Sequence, residues 1–232
     1  MTARKRPVPQ ADTAVFSTAE RETLYKIIAA RRDMRHFLAD QTIADEVLTR
    51  IMAAAHSAPS VGLMQPWRFI RITDKPLREN IARLVDEEIR KTADAMHERR
   101  SEFLKLKVAG VRECAELIVV VQAPDDGTVF GRRTLPMEMA LCSTACAIQN
   151  LWLASRAENL GMGWVSLFDP DALARLLHCP QGALPVALLC LGPVKAFYAK
   201  PLLIETGWRE GKTLDSVLLT DKWSENRREN KK

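Results

Sequence analysis

The stretch Leu117-Ile118-Val119-Val120-Val121 decides the fold. An unbroken run of aliphatic residues, most of them β-branched, is typical of a strand that is covered on both faces, because a strand with one solvent-facing side alternates apolar and polar residues. The following Pro124-Asp125-Asp126-Gly127 favours a turn that ends the strand. The sequence therefore predicts a buried strand near the middle of the chain, with other elements packed against both of its faces.

The segment that begins at Pro136 predicts the longest helix, which ends before Gly161. The segment is apolar on more than one side, so we expect it to be buried in the core or in a subunit interface. A membrane span is the alternative interpretation. Glu138, Gln149 and Arg156 interrupt the apolar run, however, and polar groups are costly in lipid. We therefore expect no membrane partner.

Helices alternate with strands along most of the chain. The predicted helices run from Ser17 to the arginine run described below, over residues 43–56, from Pro76 towards Arg99 and after Asp169, and the further predicted strands cover residues 68–73, 163–168 and 186–191. This alternation predicts an α+β fold, an α/β sandwich in which helices flank a sheet. We expect one domain over residues 16–220, a flexible N-terminal extension over residues 1–15 and a basic C-terminal tail over residues 221–232.

The formal net charge of +5 raises the question of a nucleic-acid surface. Residues 1–10 contribute +3 and residues 221–232 contribute +2, so the rest of the chain is formally neutral. A neutral body with basic ends favours solvated termini over a nucleic-acid partner.

The five cysteines form no C-x-x-C pair, and the first residues are charged and proline-rich rather than an apolar leader. This pattern predicts a reduced protein of the cytoplasm. Cys142 and Cys146 lie one turn apart on the predicted long helix, but no histidine or second cysteine pair stands at a supporting spacing. We expect both to be buried small hydrophobic residues, and we predict no metal site.

A charged run, Arg31-Arg32-Asp33-Met34-Arg35, follows the first predicted helix. Guanidinium groups suit a phosphate ester, because each can donate two parallel hydrogen bonds to it. Taken alone, the run also fits an exposed helix end, where basic residues interact favourably with the helix dipole. A carboxylate among phosphate ligands weakens their attraction for an anion, so Asp33 is expected either to pair with an arginine or to take part in chemistry.

Two further segments complete a recognisable set: Ser57-Ala58-Pro59-Ser60-Val61-Gly62-Leu63-Met64-Gln65-Pro66-Trp67 and Gly161-Met162-Gly163-Trp164-Val165-Ser166. Together with the arginine run they resemble the FMN-binding nitroreductase superfamily, over roughly residues 16–220. Within it, Asp33 and the phrase at residues 163–166 resemble the 5,6-dimethylbenzimidazole synthase branch, the flavin destructases. Ordinary nitroreductases usually carry a serine at the position of Asp33.

The resemblance implies a nitroreductase-like FMN-binding fold with a central, mostly antiparallel sheet flanked by helices. It also implies a homodimer with FMN sites at the subunit boundary, for which the long apolar helix offers a contact surface.

The resemblance also implies which residues bind FMN. The arginine run holds the phosphate and the ribityl chain, the loop at residues 60–62 lies along the isoalloxazine ring, and a basic residue near the C-terminus completes the phosphate site. Residues 96–112, called the covering segment below, match the stretch that covers the flavin. The predicted FMN-binding residues are Arg31, Arg32, Asp33, Met34, Arg35, Ser60, Val61, Gly62, Leu106, Ser166 and Arg209.

The activity implied by the resemblance consumes FMN as a substrate. Reduced FMN and oxygen give 5,6-dimethylbenzimidazole, the lower ligand of vitamin B12, and erythrose 4-phosphate. Asp33, buried amid positive side chains, is the expected acid or base, and Ser166 donates a hydrogen bond near flavin N5. A separate flavin reductase is expected to supply the reduced FMN. Two alternatives remain open: an FMN-dependent NAD(P)H reductase of nitro or quinone compounds, and a non-catalytic flavin-binding protein.

Overall fold

The structure, a computed structural model, describes residues 14–223. The predicted N-terminal extension and C-terminal tail lie outside the described residues, apart from residues 14–15 and 221–223. The described part of the chain forms the elements α1 (Thr18–Ala30), α2 (Asp45–His56), β1 (Trp67–Arg71), α3 (Lys75–Ala95), α4 (Arg100–Leu104), β2 (Glu116–Gln122), α5 (Pro136–Ala157), β3 (Gly161–Val165), α6 (Pro170–Leu176), β4 (Leu184–Gly192) and α7 (Leu202–Glu205).

The four strands form one sheet in the order β1-β2-β4-β3, and every neighbouring pair is antiparallel. β2 is buried along its whole length, as the apolar run at residues 117–121 predicts. At the outer edge of β3, Asp33 forms an isolated parallel bridge with Met162. The predicted sandwich, with a mostly antiparallel sheet flanked by helices, is confirmed.

Side chains of β2 point alternately to two hydrophobic layers, because successive residues of a strand face opposite sides of the sheet. Leu117, Val119 and Val121 pack in a cluster with buried residues of α3 and α6. Ile118 and Val120 pack in a second cluster with buried residues of α2 and α5. Helices cover both faces of the sheet, which explains why the strand carries no polar face.

β3 begins two residues before the predicted strand at residues 163–168 and ends three residues before the end of that strand. It begins at Gly161, which is paired with Gly192 of β4, and ends at Val165, which is paired with Leu188. Pairing with β4 sets these bounds, and glycine's low strand propensity hid the beginning of the strand from the sequence pattern.

The long helix α5 is buried on one face only, whereas burial on more than one side was expected. Ile148 and Leu151 are fully buried against the sheet, but Leu141, Cys142 and Cys146 are exposed on the opposite face. The expectation that both cysteines are buried is therefore wrong for the single chain, because no element of residues 14–223 covers that face. Within the same residues, no helix has the length and apolarity needed to cross a membrane.

The buried cluster between the sheet and α5 should dominate stability. Leu189 of β4 is completely buried in it, so Leu189→Ala is expected to lower the free energy of unfolding by about 2–5 kcal/mol, through lost burial and a cavity. Leu38→Ala is the matched control, because Leu38 is 41% exposed, and it should cost less than about 1 kcal/mol. Urea unfolding of both variants at equal protein concentration measures the difference; equal costs would contradict the assignment of the core.

Candidate active site

A cavity of about 350 Å³ lies between the arginine run, the end of β3, the covering segment and α7. It is lined by residues from four ranges of the chain: 31–35, 106–108, 164–167 and 201–203. The predicted FMN-binding residues that line it are Arg31, Arg32, Asp33, Arg35, Leu106 and Ser166. The fold therefore brings together residues that are far apart in sequence.

The arginine run reaches the cavity because α1 ends just before it. The backbone of Arg31 is extended, and the next residues run along the edge of β3, where the Met34 N–H donates to the Met162 carbonyl at 2.9 Å. From the other side, Trp152 of α5 donates its indole N–H to the Arg32 carbonyl at 3.2 Å. Sheet edge and helix together fix the path of the run.

Gly163 is the residue that permits this close approach. A Cβ at this position would collide with the carbonyl oxygen of Met34 and with the guanidinium of Arg35. A Cβ at Gly161 would lie 2.5 Å from the Val194 side chain. The glycines of the Gly161-Met162-Gly163 sequence thus make room for the run at the edge of the sheet.

Arg31 and Arg32 have donors that are not used within the described residues. The guanidinium of Arg31 lies 4.5 Å above the Trp152 ring and makes no hydrogen bond or ion pair with residues 14–223. Arg32 donates to the carbonyls of Ala29 and Ala199, at 2.8 and 2.9 Å, yet its buried Nε has no partner among these residues. A buried donor without an acceptor is costly, so this wall of the cavity fits an anionic ligand such as a phosphate ester.

Arg35 differs from its two neighbours because its donors are all used. Nε donates to the Val108 carbonyl at 2.9 Å, and Nη1 donates to the Met34 carbonyl at 3.0 Å and to Asp33. Nη2 donates to Asp33 Oδ2 and to the Trp164 carbonyl, both at 2.7 Å. The five N–H groups of the guanidinium are therefore all engaged within residues 14–223, whereas the resemblance predicts that this residue helps to hold the FMN phosphate and ribityl chain.

The Asp33 carboxylate is held from two directions. Oδ1 accepts from the Trp164 backbone N–H at 2.9 Å and from Arg35, and Oδ2 accepts from the second Nη of Arg35. The side chain is 46% exposed, so the expectation of a buried acid is wrong for the single chain. The carboxylate lies in the wall of the cavity, and its open side faces the space that a ligand would fill.

Leu106 and Ser166 both line the cavity. Ser166 directly follows β3 and is exposed, whereas Leu106 is half-buried in the covering segment. Met34 does not line the cavity, because its side chain is fully buried below the run. Arg209 does not line it either; it is exposed, and its backbone N–H donates to the carbonyl of the cavity residue Leu203 at 3.2 Å.

The loop at residues 60–62 lies apart from this cavity. The Val61 N–H donates to Ser143 Oγ of α5 at 3.2 Å. Gly62 has a φ of +57°, and a Cβ there would lie 2.8 Å from a methyl group of Thr128. The predicted ring-binding loop is thus a tight turn against α5, and this chain does not bring it to its own arginine run.

Two contributors to the site were missed at the level of sequence. Trp152 was interpreted as part of an apolar helix, although its indole N–H and ring face contact the arginine run. Val108 contributes through its backbone carbonyl, which no side-chain pattern signals. Among the described residues, no three His, Cys, Asp or Glu side chains cluster as a metal site would require.

A model of the Nitroreductase family matches residues 28–193, which include three of the four ranges that line the cavity. A curated 5,6-dimethylbenzimidazole synthase from Rhodospirillum rubrum is 38% identical over 201 residues, covering 84% of this chain and 93% of that protein. Another from Rhodobacter capsulatus is 37% identical over 198 residues, covering 84% and 95%. The solved structure of a BluB-like flavoprotein from Clostridium difficile 630 has a TM-score of 0.64 at 20% identity, covering 86% of this chain and 99% of that chain.

Replacing Gly163 by alanine tests the packing below the cavity. Because the added Cβ meets a backbone carbonyl and a buried guanidinium, Gly163→Ala should lower the free energy of unfolding by about 1–3 kcal/mol. Gly211→Ala is the control, since the nearest atom to its Cβ would be an Ile204 methyl group at 3.5 Å, and it should change stability by less than about 0.5 kcal/mol. Urea unfolding compares them; an unchanged Gly163→Ala protein would contradict the close approach.

Proposed function

Because this chain belongs to the nitroreductase family, we propose that it catalyses the 5,6-dimethylbenzimidazole synthase reaction: reduced FMN and oxygen are converted to 5,6-dimethylbenzimidazole and erythrose 4-phosphate. The observation that carries the proposal is the Asp33 carboxylate, held in the cavity wall among arginines. The curated synthases, which match over most of both chains, support the same activity.

FMN fits the cavity by charge. Within residues 14–223 the Arg31 guanidinium contacts the Trp152 ring but makes no hydrogen bond, and the buried Nε of Arg32 has no acceptor, so these two residues would hold the phosphate. Arg209 lies just beyond the cavity residue Leu203 and would add a third cation from the solvent side. Leu106 would contact the ring from the covering segment. Reduced FMN supplies the oxygen-reactive ring and the ribityl chain that is broken.

Asp33 and Ser166 are the proposed catalytic residues. Erythrose 4-phosphate retains all but one of the ribityl carbons, so one of the bonds that break joins the ribityl carbon next to the ring to its neighbour. The two bonds that join the ring nitrogens to the pyrimidine part of the flavin also break, and the pyrimidine part leaves as a further product. An acid or base must act at the ribityl carbon next to the ring, and a fixed carboxylate beside the phosphate-binding arginines suits this role. The Ser166 hydroxyl, at the end of β3, would donate a hydrogen bond near flavin N5.

The proposed assembly is a homodimer in which the loop at residues 60–62 of the partner subunit completes the cavity. Exposed apolar side chains support this assembly: Leu141 and Cys142 on α5, and Phe130, which is 80% exposed beside that loop. Exposed apolar side chains near the loop and along α5 are what an interaction site would require.

The alternatives use the same cavity but leave part of it without a role. A NAD(P)H-dependent reductase would recycle FMN, and a carboxylate beside reduced flavin gives such turnover no evident benefit. A non-catalytic flavin-binding protein needs the arginines but neither Asp33 nor Ser166.

In the proposed function a separate flavin reductase supplies the reduced FMN. The proposed location is the cytoplasm, because five unpaired cysteines suit a reducing compartment.

The assay that tests the function adds chemically reduced FMN to the protein without air, admits air, and detects 5,6-dimethylbenzimidazole by mass spectrometry. The wild-type protein should form it, whereas Asp33→Asn should form it at least about 100-fold more slowly, because an acid or base has been removed. Flavin binding should survive in Asp33→Asn, since the amide is of the same size and its one oxygen still accepts from Arg35.

Each contrary outcome of this assay has a distinct meaning. Intact reoxidised FMN from the wild-type protein would contradict the proposed function. Steady NADPH consumption with a nitroaromatic compound, without fragmentation, would favour the reductase. Loss of flavin binding in Asp33→Asn would make the carboxylate structural.

Mixed dimers test the proposed contribution of the partner subunit. Gly62→Val should disable the loop, because a β-branched residue is strained at positive φ and would clash with Thr128. Asp33→Asn and Gly62→Val homodimers should both be inactive, while a heterodimer purified through two different tags should regain about half of the wild-type activity from its one intact site. No recovery in the heterodimer would show that each chain forms its site alone.

A further inference from the structure

The Arg35 guanidinium connects three parts of the cavity wall. It bonds to Asp33 in the arginine run, to the Trp164 carbonyl in β3 and to the Val108 carbonyl in the covering segment. The Arg35 side chain is only 9% exposed, so the guanidinium is largely shielded from water and geometrically restricted, whereas the Asp33 side chain that it holds is 46% exposed. The arginine run, β3 and the covering segment are far apart in sequence, and the Arg35 guanidinium holds them in fixed positions relative to one another.

A second contact reinforces the connection between the run and the covering segment. Gly110 packs so closely against Phe37 that a Cβ would lie 2.7 Å from the ring and 3.1 Å from the Arg35 carbonyl oxygen. The backbone N–H of Arg35 also donates to the Tyr198 hydroxyl at 3.2 Å, which fixes the residue from the far side. Arg35 is thus held at both its backbone and its side chain.

We propose that Arg35 is a positioning residue: by holding both oxygens of Asp33 together with the Val108 carbonyl, it sets the carboxylate and the covering segment in one arrangement around the substrate. This inference rests on the proposed function, because it concerns the geometry of the same cavity. Arg35 acts through Asp33 and not by contact with the FMN phosphate, which distinguishes it from Arg31 and Arg32.

The inference explains why arginine stands at this position. Its planar fork makes two parallel bonds to a carboxylate, and the remaining N–H groups reach three carbonyls. A lysine ammonium has three donors on a flexible chain and no fork. Lysine would keep the charge but would leave the orientation of Asp33 undefined.

The test is Arg35→Lys in the full-length protein. We expect the rate of 5,6-dimethylbenzimidazole formation from bound reduced FMN to fall about 100-fold, the effect of a small misplacement of a reacting group, while the Kd for reduced FMN changes less than about threefold. The control is Arg71→Lys, which removes an equivalent fork on Glu116, with bonds of 2.7 and 2.7 Å, and should leave both values unchanged.

Hydrogen exchange gives a readout that is independent of activity. The Trp164 N–H donates to Asp33, so its exchange, and that of residues 105–112, should accelerate in Arg35→Lys but not in Arg71→Lys. In the wild-type protein, the Nη protons of Arg35 should give separate, slowly exchanging ¹⁵N NMR signals, unlike those of Arg31. This last measurement needs no variant to fold.

Three results would overturn the inference: an unchanged fragmentation rate in Arg35→Lys, a loss of FMN binding as large as the loss of rate, or rapid exchange of the wild-type Arg35 Nη protons. Failure of the proposed function looks different. In that case the wild-type protein forms no 5,6-dimethylbenzimidazole, whereas the exchange data still decide whether Arg35 positions Asp33.

Discussion

The close contact between the arginine run and the edge of β3 is the constraint on which the site depends. Gly163 makes it possible, because any side chain there would occupy the space of the Met34 carbonyl and the Arg35 guanidinium. Once the run lies on the strand, Arg35 reaches Asp33 and the Val108 carbonyl, and the cavity acquires one defined wall. Sheet pairing, glycine spacing and a buried guanidinium therefore act together to hold one carboxylate.

The charged residues of the arginine run have two different roles, and together they suit FMN, in which a phosphate ester is linked to a reactive ring. Arg31 and Arg32 keep donors for an anion, while Arg35 compensates Asp33. A carboxylate next to an anion site would be repelled from a phosphate without such a partner. Because Arg35 pairs with Asp33, a potential acid or base can lie directly beside Arg31 and Arg32, the two residues that attract the phosphate.

Much of the fold could be predicted from local patterns. The apolar run at residues 117–121 marked the central strand, and Ser17 and Glu20 form the capping box that begins α1, with the Ser17 N–H donating to Glu20 at 2.8 Å.

The site could be predicted only in part from local sequence patterns. Arg31 and Arg35 are the same residue type in one short run, yet two of the carbonyl partners of Arg35 lie 73 and 129 positions away in sequence, where no local pattern can assign them. The exposure of Cys142 and Cys146 and the position of the loop at residues 60–62 escaped prediction for a related reason: both depend on tertiary packing, which the residues themselves do not signal.

The central claim is that Asp33, held by Arg35, acts on the FMN that this cavity binds. A crystal structure of the protein with bound FMN tests it most directly. The account predicts that the Asp33 carboxylate keeps its two-pronged contact with Arg35 and lies within hydrogen-bonding reach of the ribityl carbon next to the ring, with the phosphate against Arg31 and Arg32. An FMN ring bound elsewhere, or a carboxylate turned into solvent, would contradict it.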